Sequence, residues 1–379
     1  MSAGYRIDIA DTLSAIAPQD WNRLAGSGLF QRYEFISALH ETGCASVQTG
    51  WAPRFVLLWR EERLLGAMPL YLKAHSYGEY VFDWAWADVY RHFGRHYYPK
   101  LLCAVPFTPV TGRRLLAETA EQRSLLLHAA LNLAKQSGAS SFHCLFPEEP
   151  EAQEMQSHGL MLRQGLQFHW ENRGYRDFAD FLDALSRRKR KNIRQERRKV
   201  QEAGIICEWL EGRNITDEHW RFFTACYNHT YRQHSSTPYL NLDFFSRLGE
   251  TLPQHLLLIV AKRKGRPLAA ALNLYSPERL YGRYWGALEP IPALHFEVCY
   301  YQAIEYCIAR GIRCFEGGAQ GEHKLARGFM PVKTWSAHWL ADPQFAQAIS
   351  NQLDREISGM AHYADELNEQ SPFKNRDRA

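Results

Sequence analysis

The sequence predicts an α/β protein with mixed sheets, built from two similar halves. Three observations predict it: a β-hairpin pattern that occurs twice, a helix–strand pattern that follows each hairpin, and a strongly basic segment between the two copies. In the first hairpin, 55–59 is apolar, 60–63 is a charged turn, and 64–72 is apolar with Gly66 inside. The same plan returns as 256–260, 262–266 and 267–275. Apolar runs of this length around a short charged turn read as paired strands. Gly66 then matches Ala269, an offset of 203.

The helix–strand unit of the first copy starts at 124–138. Leu126, Leu127, Ala130, Leu131 and Ala134 fall at helical spacing, and Gly138 ends the helix. Thr119 and Gln122 upstream have capping-box spacing. A strand over 141–146 follows. In the second copy, 294–310 is helical, Gly311 stops it, and 313–316 is the strand; Gly138 matches Gly311 at an offset of 173. The offset drops by 30, so the first copy carries about 30 extra residues, assigned to 76–98. Helical pieces at 21–42 and 218–252 lead into the two hairpins. A long polar helix is expected over 175–203, ended by Gly204, and a last helix from Pro343 to about Leu367. The expected domains are 1–174, a basic linking helix 175–204, and 205–379.

Composition narrows the class. Apolar residues are 46% and charged residues 23%, which excludes a disordered, collagen-like or coiled-coil chain. The net charge of +4 hides a local excess: 187–199 holds nine basic residues and one acid, so the remaining chain is net acidic. The longest strongly apolar run, 256–261, is far short of a membrane span, and 1–11 has no apolar core of a signal peptide. With no Cys-x-x-Cys pair, the eight cysteines read as reduced thiols of a cytoplasmic protein.

Three stretches carry a resemblance. They are Tyr97-Tyr98-Pro-Lys-Leu-Leu-Cys-Ala-Val-Pro-Phe-Thr-Pro-Val-Thr-Gly112, the basic run from Arg188, and Leu294-His-Phe-Glu-Val-Cys-Tyr-Tyr301 followed by Phe315-Glu-Gly-Gly-Ala-Gln-Gly-Glu-His-Lys324 and Arg327-Gly-Phe. Over about 21–340 the chain resembles the Fem-like branch of the GNAT N-acyltransferase superfamily, a bacterial family of peptidoglycan biosynthesis and recognition. The resemblance implies a tandem GNAT-like fold and transfer of an acyl group to an amine of a small molecule or peptide. It implies acyl-CoA as co-substrate and no tightly bound cofactor. Fem-type enzymes instead take aminoacyl groups from transfer RNA and act on a peptidoglycan precursor. A recognition protein that kept the fold and lost the chemistry is a third reading.

Acyl transfer to an amine needs a base, donors for an oxyanion, and a grip on the donor. The loop 316–324 starts at a strand end, where α/β proteins place ligands, and mixes three glycines with proton-transferring groups. His323 is the expected base, with a nearby carboxylate raising its pKa; Glu316, Glu297 and His295 support it. Gln320, Lys324 and Arg327 are expected to hold substrate. In the first copy, Asp83, Asp88, Tyr97, Tyr98 and Lys100 are offered as a substrate wall, with Trp84 and Trp86 on a ring-lined strand. Ordinary packing would explain the same residues. GNAT folds seat the coenzyme A pyrophosphate at a helix N-terminus. The second copy has Glu289-Pro-Ile-Pro there, so Thr111, Gly112, Arg113 and Arg114 of the first copy are the better anion cradle. Arg187, Arg190, Lys191 and Arg194 suit an anionic partner such as transfer RNA or a nucleotide-linked precursor. No spacing matches a metal signature, so no metal is expected.

Overall fold

The computed structural model describes residues 4–319 and 321–374. It divides into two units, Met1–Gly165 with Lys333–His362, and Leu166–Val332 with Tyr363–Ala379. The expected boundaries at 174 and 204 differ from this division, which falls inside two long strands.

In chain order the first unit begins with β1 (Tyr5–Ala10), α1 (Pro18–Ala25), α2 (Tyr33–Glu41), β2 (Trp51–Pro53), β3 (Phe55–Arg60), β4 (Arg63–Met68) and β5 (Leu70–Lys73). It continues with α3 (Trp84–His92), β6 (Lys100–Cys103), β7 (Leu116–Ala117), α4 (Ala120–Gln136), β8 (Ser141–Leu145) and α5 (Glu149–Ser157), and leaves through β9 (Met161–Glu171). The second unit holds α6 (Phe178–Ala184), α7 (Arg187–Glu202), β10 (Ile205–Glu211), α8 (Asp217–Gln233), α9 (Leu242–Thr251), β11 (Leu256–Arg263), β12 (Arg266–Tyr275), β13 (Arg279–Ala287), α10 (294–310) and β14 (Cys314–Glu316). Then come β15 (Met330–Leu340) and α11 (Pro343–Glu369).

The repeat is visible in the pairing. In the first unit β1, β3 and β4 pair antiparallel, β5 pairs antiparallel with β6, and β6 runs parallel to β8. In the second unit β10, β11, β12 and β13 pair antiparallel, and β13 runs parallel to β14. The hairpins match in detail. The register slips between Leu58 and Trp59 in one and between Ala261 and Lys262 in the other, the same place at the offset of 203. The last strand of each set is exchanged. β15, from the second half of the sequence, pairs with β8 in the first unit, and β9, from the first half, pairs with β14 in the second.

Each unit has its own core. In the first, α4 lays Leu126, Leu127, Ala130 and Ala134 against Val56, Leu58, Met68 and Leu101. Its N-terminus is the expected capping box: Thr119 accepts from Gln122 N–H at 3.2 Å, and the Gln122 side chain accepts from Thr119 N–H. In the second, α10 lays Leu294, Val298, Tyr301 and Ile304 on Ile259, Ala269, Ala271 and Phe315. The opposite face of β13 meets α8 so closely that an alanine Cβ at Gly286 would lie 2.1 Å from the Cys226 carbonyl oxygen. Backbone cannot yield as a side-chain tip does, so Gly286→Ala is expected to cost about 1–3 kcal/mol or more, read as a lowered urea midpoint.

Two expected elements differ. Residues 84–92 are helical: Trp86, Ala87 and Tyr90 are the buried set, a period of three to four that the two tryptophans alone concealed. The long polar helix is two helices, because Leu185 is extended and bridges to Phe373, and Ser186 restarts the chain at α7. The extra residues of the first copy lie mainly at 74–99, where the second copy needs only 276–278.

Candidate active site

β13 and β14 pair over three residues only: Arg279 with Cys314, Leu280 with Phe315, and Tyr281 with Glu316. β14 stops at Glu316 while β13 runs on to Ala287, so the two parallel strands part. A cavity of about 210 Å³ occupies the gap, between Arg283–Trp285 of β13, His295 and Tyr300 of α10, and Gly317-Gly318. β13 bulges at this point, its register against β12 slipping between Leu272 and Asn273. α10 enters from Ala293 in the left-handed region (φ 67°), and its turn at Glu297–Tyr301 is a π-helix. Such turns are frequent at functional sites.

The loop after β14 folds into a short 3₁₀ turn, Glu322–Arg327. His323 is exposed, and its Nε2 meets the Tyr300 hydroxyl at 3.0 Å. Partial burial, then Arg327 and Lys324, lower its pKa below the usual 6.5. The expected carboxylate neighbour is replaced by these cations, so His323 is neutral at pH 7 and able to accept a proton. His295 packs on Trp285 and Tyr300, and burial pushes it down to about 4. Lys324 is 2% exposed and donates to the Gly318 carbonyl at 2.8 Å. No carboxylate lies within ion-pair reach of it among the described residues, and burial pushes its pKa down to about 8. Gly318 takes φ 88°, which offers its carbonyl to that ammonium.

Glu316 is buried. Its Oε1 accepts from Arg279 at 2.7 Å, and burial, opposed by Arg279, pushes its pKa up to about 7. Arg327 is committed to Glu196 at 2.8 Å, to Tyr301, and to the face of Phe296. Glu297 does not face the cavity. It is held by Arg197 at 2.9 and 3.1 Å and by Gln302 at 2.8 Å, and Arg197 also binds Glu305. Its expected catalytic support is therefore corrected to an ion pair that fixes α7 to α10. Arg197 keeps Glu305 when Glu297 is lost, so Glu297→Ala is expected to cost about 1.5–3 kcal/mol, the worth of charge-assisted hydrogen bonds, in a denaturant titration. Gln320 lies outside the described residues.

The first-copy residues do other work. Tyr97 donates to Asp83 at 2.6 Å; Lys100 donates to Ser76 at 2.7 Å, Glu79 at 2.8 Å, and Asp83. Tyr98 bonds Ser76, and Asp88 is an exposed partner of Arg91. Tyr97, Tyr98, Lys100 and Asp83 thus bond within one buried network, Asp88 lies apart at the surface, and the five form no open wall. The anion cradle is likewise corrected. Arg114 is fully buried and spends its guanidinium on the carbonyls of Val110, Gly112 and Leu145. Arg113 binds the Leu24 and Ala117 carbonyls, Gly112 N–H donates to Phe146, and the α4 N-terminus beyond Thr111 is filled by its own cap. On α7, Arg187, Lys191 and Arg194 are exposed, while Arg190 binds Asp183 at 2.7 Å.

Sequence reasoning missed His169, the cross-strand partner of Glu316. A signal existed. His169-Trp170 on β9 recurs as His338-Trp339 on β15, and His338 pairs with His143 as His169 pairs with Glu316.

The model of the FemAB-like family, described as peptidoglycan biosynthesis/recognition, matches residues 12–375. The chain belongs to the FemAB-like family. The solved structure of FemX is similar to this FemAB-like chain over 88% of it and 98% of FemX, at 13% identity and a TM-score of 0.55. L-PGS from Bacillus licheniformis covers 83% of it with 93% of its own chain, at 12% identity and a TM-score of 0.50. A tandem GNAT protein of the clavulanic acid biosynthesis pathway aligns over 89% of it and 99% of its own length, at 11% identity and a TM-score of 0.48. A search of curated proteins finds no match. The FemAB-like chain has a tandem GNAT-like fold, and no helix among its described residues is long and apolar enough to cross a membrane.

Proposed function

We propose that this FemAB-like chain transfers an acyl or aminoacyl group to an amine of a cell-wall precursor, in the cleft where β13 and β14 part. The parting itself carries the reading. The ladder between β13 and β14 ends at Tyr281 and Glu316, and Gly282, Arg283, Tyr284 and Trp285 of β13 line the cavity beyond it. A carbonyl placed there would find fixed dipoles for a developing oxyanion without solvent reorganisation. The acceptor amine would lose its proton to His323, directly or through the Tyr300 hydroxyl. Lys324, a buried cation without an acidic partner among the described residues, would hold a carboxylate or phosphate of the substrate.

For the donor, two observations favour an aminoacyl group on transfer RNA over acyl-CoA. At the α10 N-terminus, Pro290 and Pro292 supply no amides, and Glu289 is held there by Arg263. At α4 the capping box takes the Thr119 and Gln122 amides. Meanwhile α7 is bolted to the His323 turn through Glu196, which binds Arg327 and Tyr301, and it presents Arg187, Lys191 and Arg194 outward. The test pairs two measurements. Label should pass from mixed aminoacyl-transfer RNAs to cell-wall precursors, and binding of transfer RNA should weaken with salt. Changing Arg187, Lys191 and Arg194 to Gln should flatten the log–log salt slope by about 2–3. Transfer from acyl-CoA alone would reverse the donor assignment. Precursor binding without transfer from either donor would leave a recognition protein.

A further inference from the structure

We propose that His169, Cys314 and Glu316 form a binding site for a divalent transition-metal ion of the zinc type. Cys314 and Glu316 stand two apart on β14, so their side chains share a face, and His169 is the residue opposite Glu316 on β9. All three are buried, and one nitrogen, one sulfur and one oxygen ligand atom lie within 4.8 Å of one another. Imidazole, thiolate and carboxylate are the donors zinc takes, and three protein ligands leave a fourth position open. Bonds of ~2.0–2.3 Å around such an ion put its ligand atoms roughly 3.3–3.8 Å apart. His169 Nε2 and Glu316 Oε2 are at 3.9 Å, so side-chain rotation closes most of the remaining gap.

A second observation points to a ligand. Glu316 Oε2 is buried without a hydrogen-bond partner, and it is the oxygen turned toward His169. A buried acceptor left unmatched is costly, and a cation between the two groups would satisfy it. Arg279 already rests on the other side of the set, its Nη1 at 2.7 Å from Glu316 Oε1 and 3.6 Å from Cys314 Sγ. That guanidinium is the resident counter-charge. Its side chain is 39% exposed, so it can swing into solvent when an ion arrives.

The first copy sharpens the contrast. By register, Lys100 stands where Arg279 does, Ser141 where Cys314 does, and His143 where Glu316 does. Lys100 is sealed by Ser76, Glu79 and Asp83, all within the connection 74–99. The second copy has only 276–278 there, and Arg279 stands as the counter-charge to Glu316. Among the described residues this donor set occurs in the second copy, where Glu316 stands one residue before Gly317 at the cavity wall. On binding, the Cys314 thiol would give its proton to solvent, and the thiolate and carboxylate would neutralise the ion.

The test uses chelator-treated full-length protein titrated with Co²⁺ and then Zn²⁺. One ion per chain is expected, with a thiolate-to-cobalt charge-transfer band that Zn²⁺ bleaches. Cys314→Ser should abolish the band, and His169→Gln should weaken Co²⁺ binding roughly tenfold or more. Arg279→Gln removes a competitor, so it should bind more tightly; a merely adventitious thiol complex would not respond to it. No band in the wild type, a band retained in Cys314→Ser, or weaker binding in Arg279→Gln overturns the site. Should Cys314→Ser fail to fold, the opposite responses of His169→Gln and Arg279→Gln decide. None of these readouts depends on the transfer reaction.

Discussion

His323→Ala should lose ~10²–10⁴ in kcat while its unfolding curve stays that of the wild type. The side chain is exposed and makes one side-chain hydrogen bond, to Tyr300, so its removal opens no core cavity. The sign of its pH dependence follows from its neighbours. Partial burial, Arg327 and Lys324 all disfavour the imidazolium, so the acid limb of kcat should fall below pH 6.5. A structural role alone would leave that limb in place when His323 is replaced. If the variant keeps wild-type turnover and an unshifted acid limb, the proton acceptor is another group, with Glu316 the next candidate.

Lys324→Met should move stability and binding in opposite directions. Lys324 is a buried ammonium held by one carbonyl, and its pKa near 8, against 10.5 for a free lysine, reflects a charged form disfavoured by burial. The folded protein therefore binds this proton less tightly than the unfolded chain. The penalty is fully present below pH 8 and fades as pH rises toward 10.5. Methionine removes the charge at similar volume, so the melting temperature at pH 7 should rise, by the equivalent of on the order of 3 kcal/mol at most. Substrate affinity should fall in the same variant, because an anionic group loses its counter-charge, and KM should rise more than kcat drops. The alkaline limb near pH 8 should vanish with it. A variant that is both less stable and unchanged in KM would make Lys324 a packing residue.

The parts legible in sequence were those governed by local pattern. Both hairpins, α4 with its cap, α10 and β14 follow from apolar spacing and from Gly138 and Gly311 at helix ends. β1 was missed although Tyr5-Arg6-Ile7-Asp8-Ile9 alternates apolar and polar residues; its alternation does not track burial, for Ile7 and Ile9 are both over 40% exposed. α3 was misread because two tryptophans two apart mimic a strand until Tyr90 is counted with them. At the site, the loop 316–324 stood out because glycines and proton-transferring groups coincide at a strand end. Roles set by distant partners did not. Glu297 meets Arg197, a hundred residues away, and Arg114 is consumed by carbonyls of Val110 and Leu145, facts no local window contains. His169 needed the recurrence of its dipeptide to be noticed.

The exchanged strands have a consequence for how the protein is made. β8 closes its pairing only against β15, which is made after β9 to β14. The first unit therefore stays unfinished until β15 is made, with the flank of β8 bare although more than a hundred and fifty of its residues are already available. Domains that can complete themselves usually do so as they emerge. Here completion waits for a segment beyond the second unit's strands, and a ribosome stalled near residue 300 would display a sheet edge awaiting a partner, the kind of edge that invites pairing with other chains.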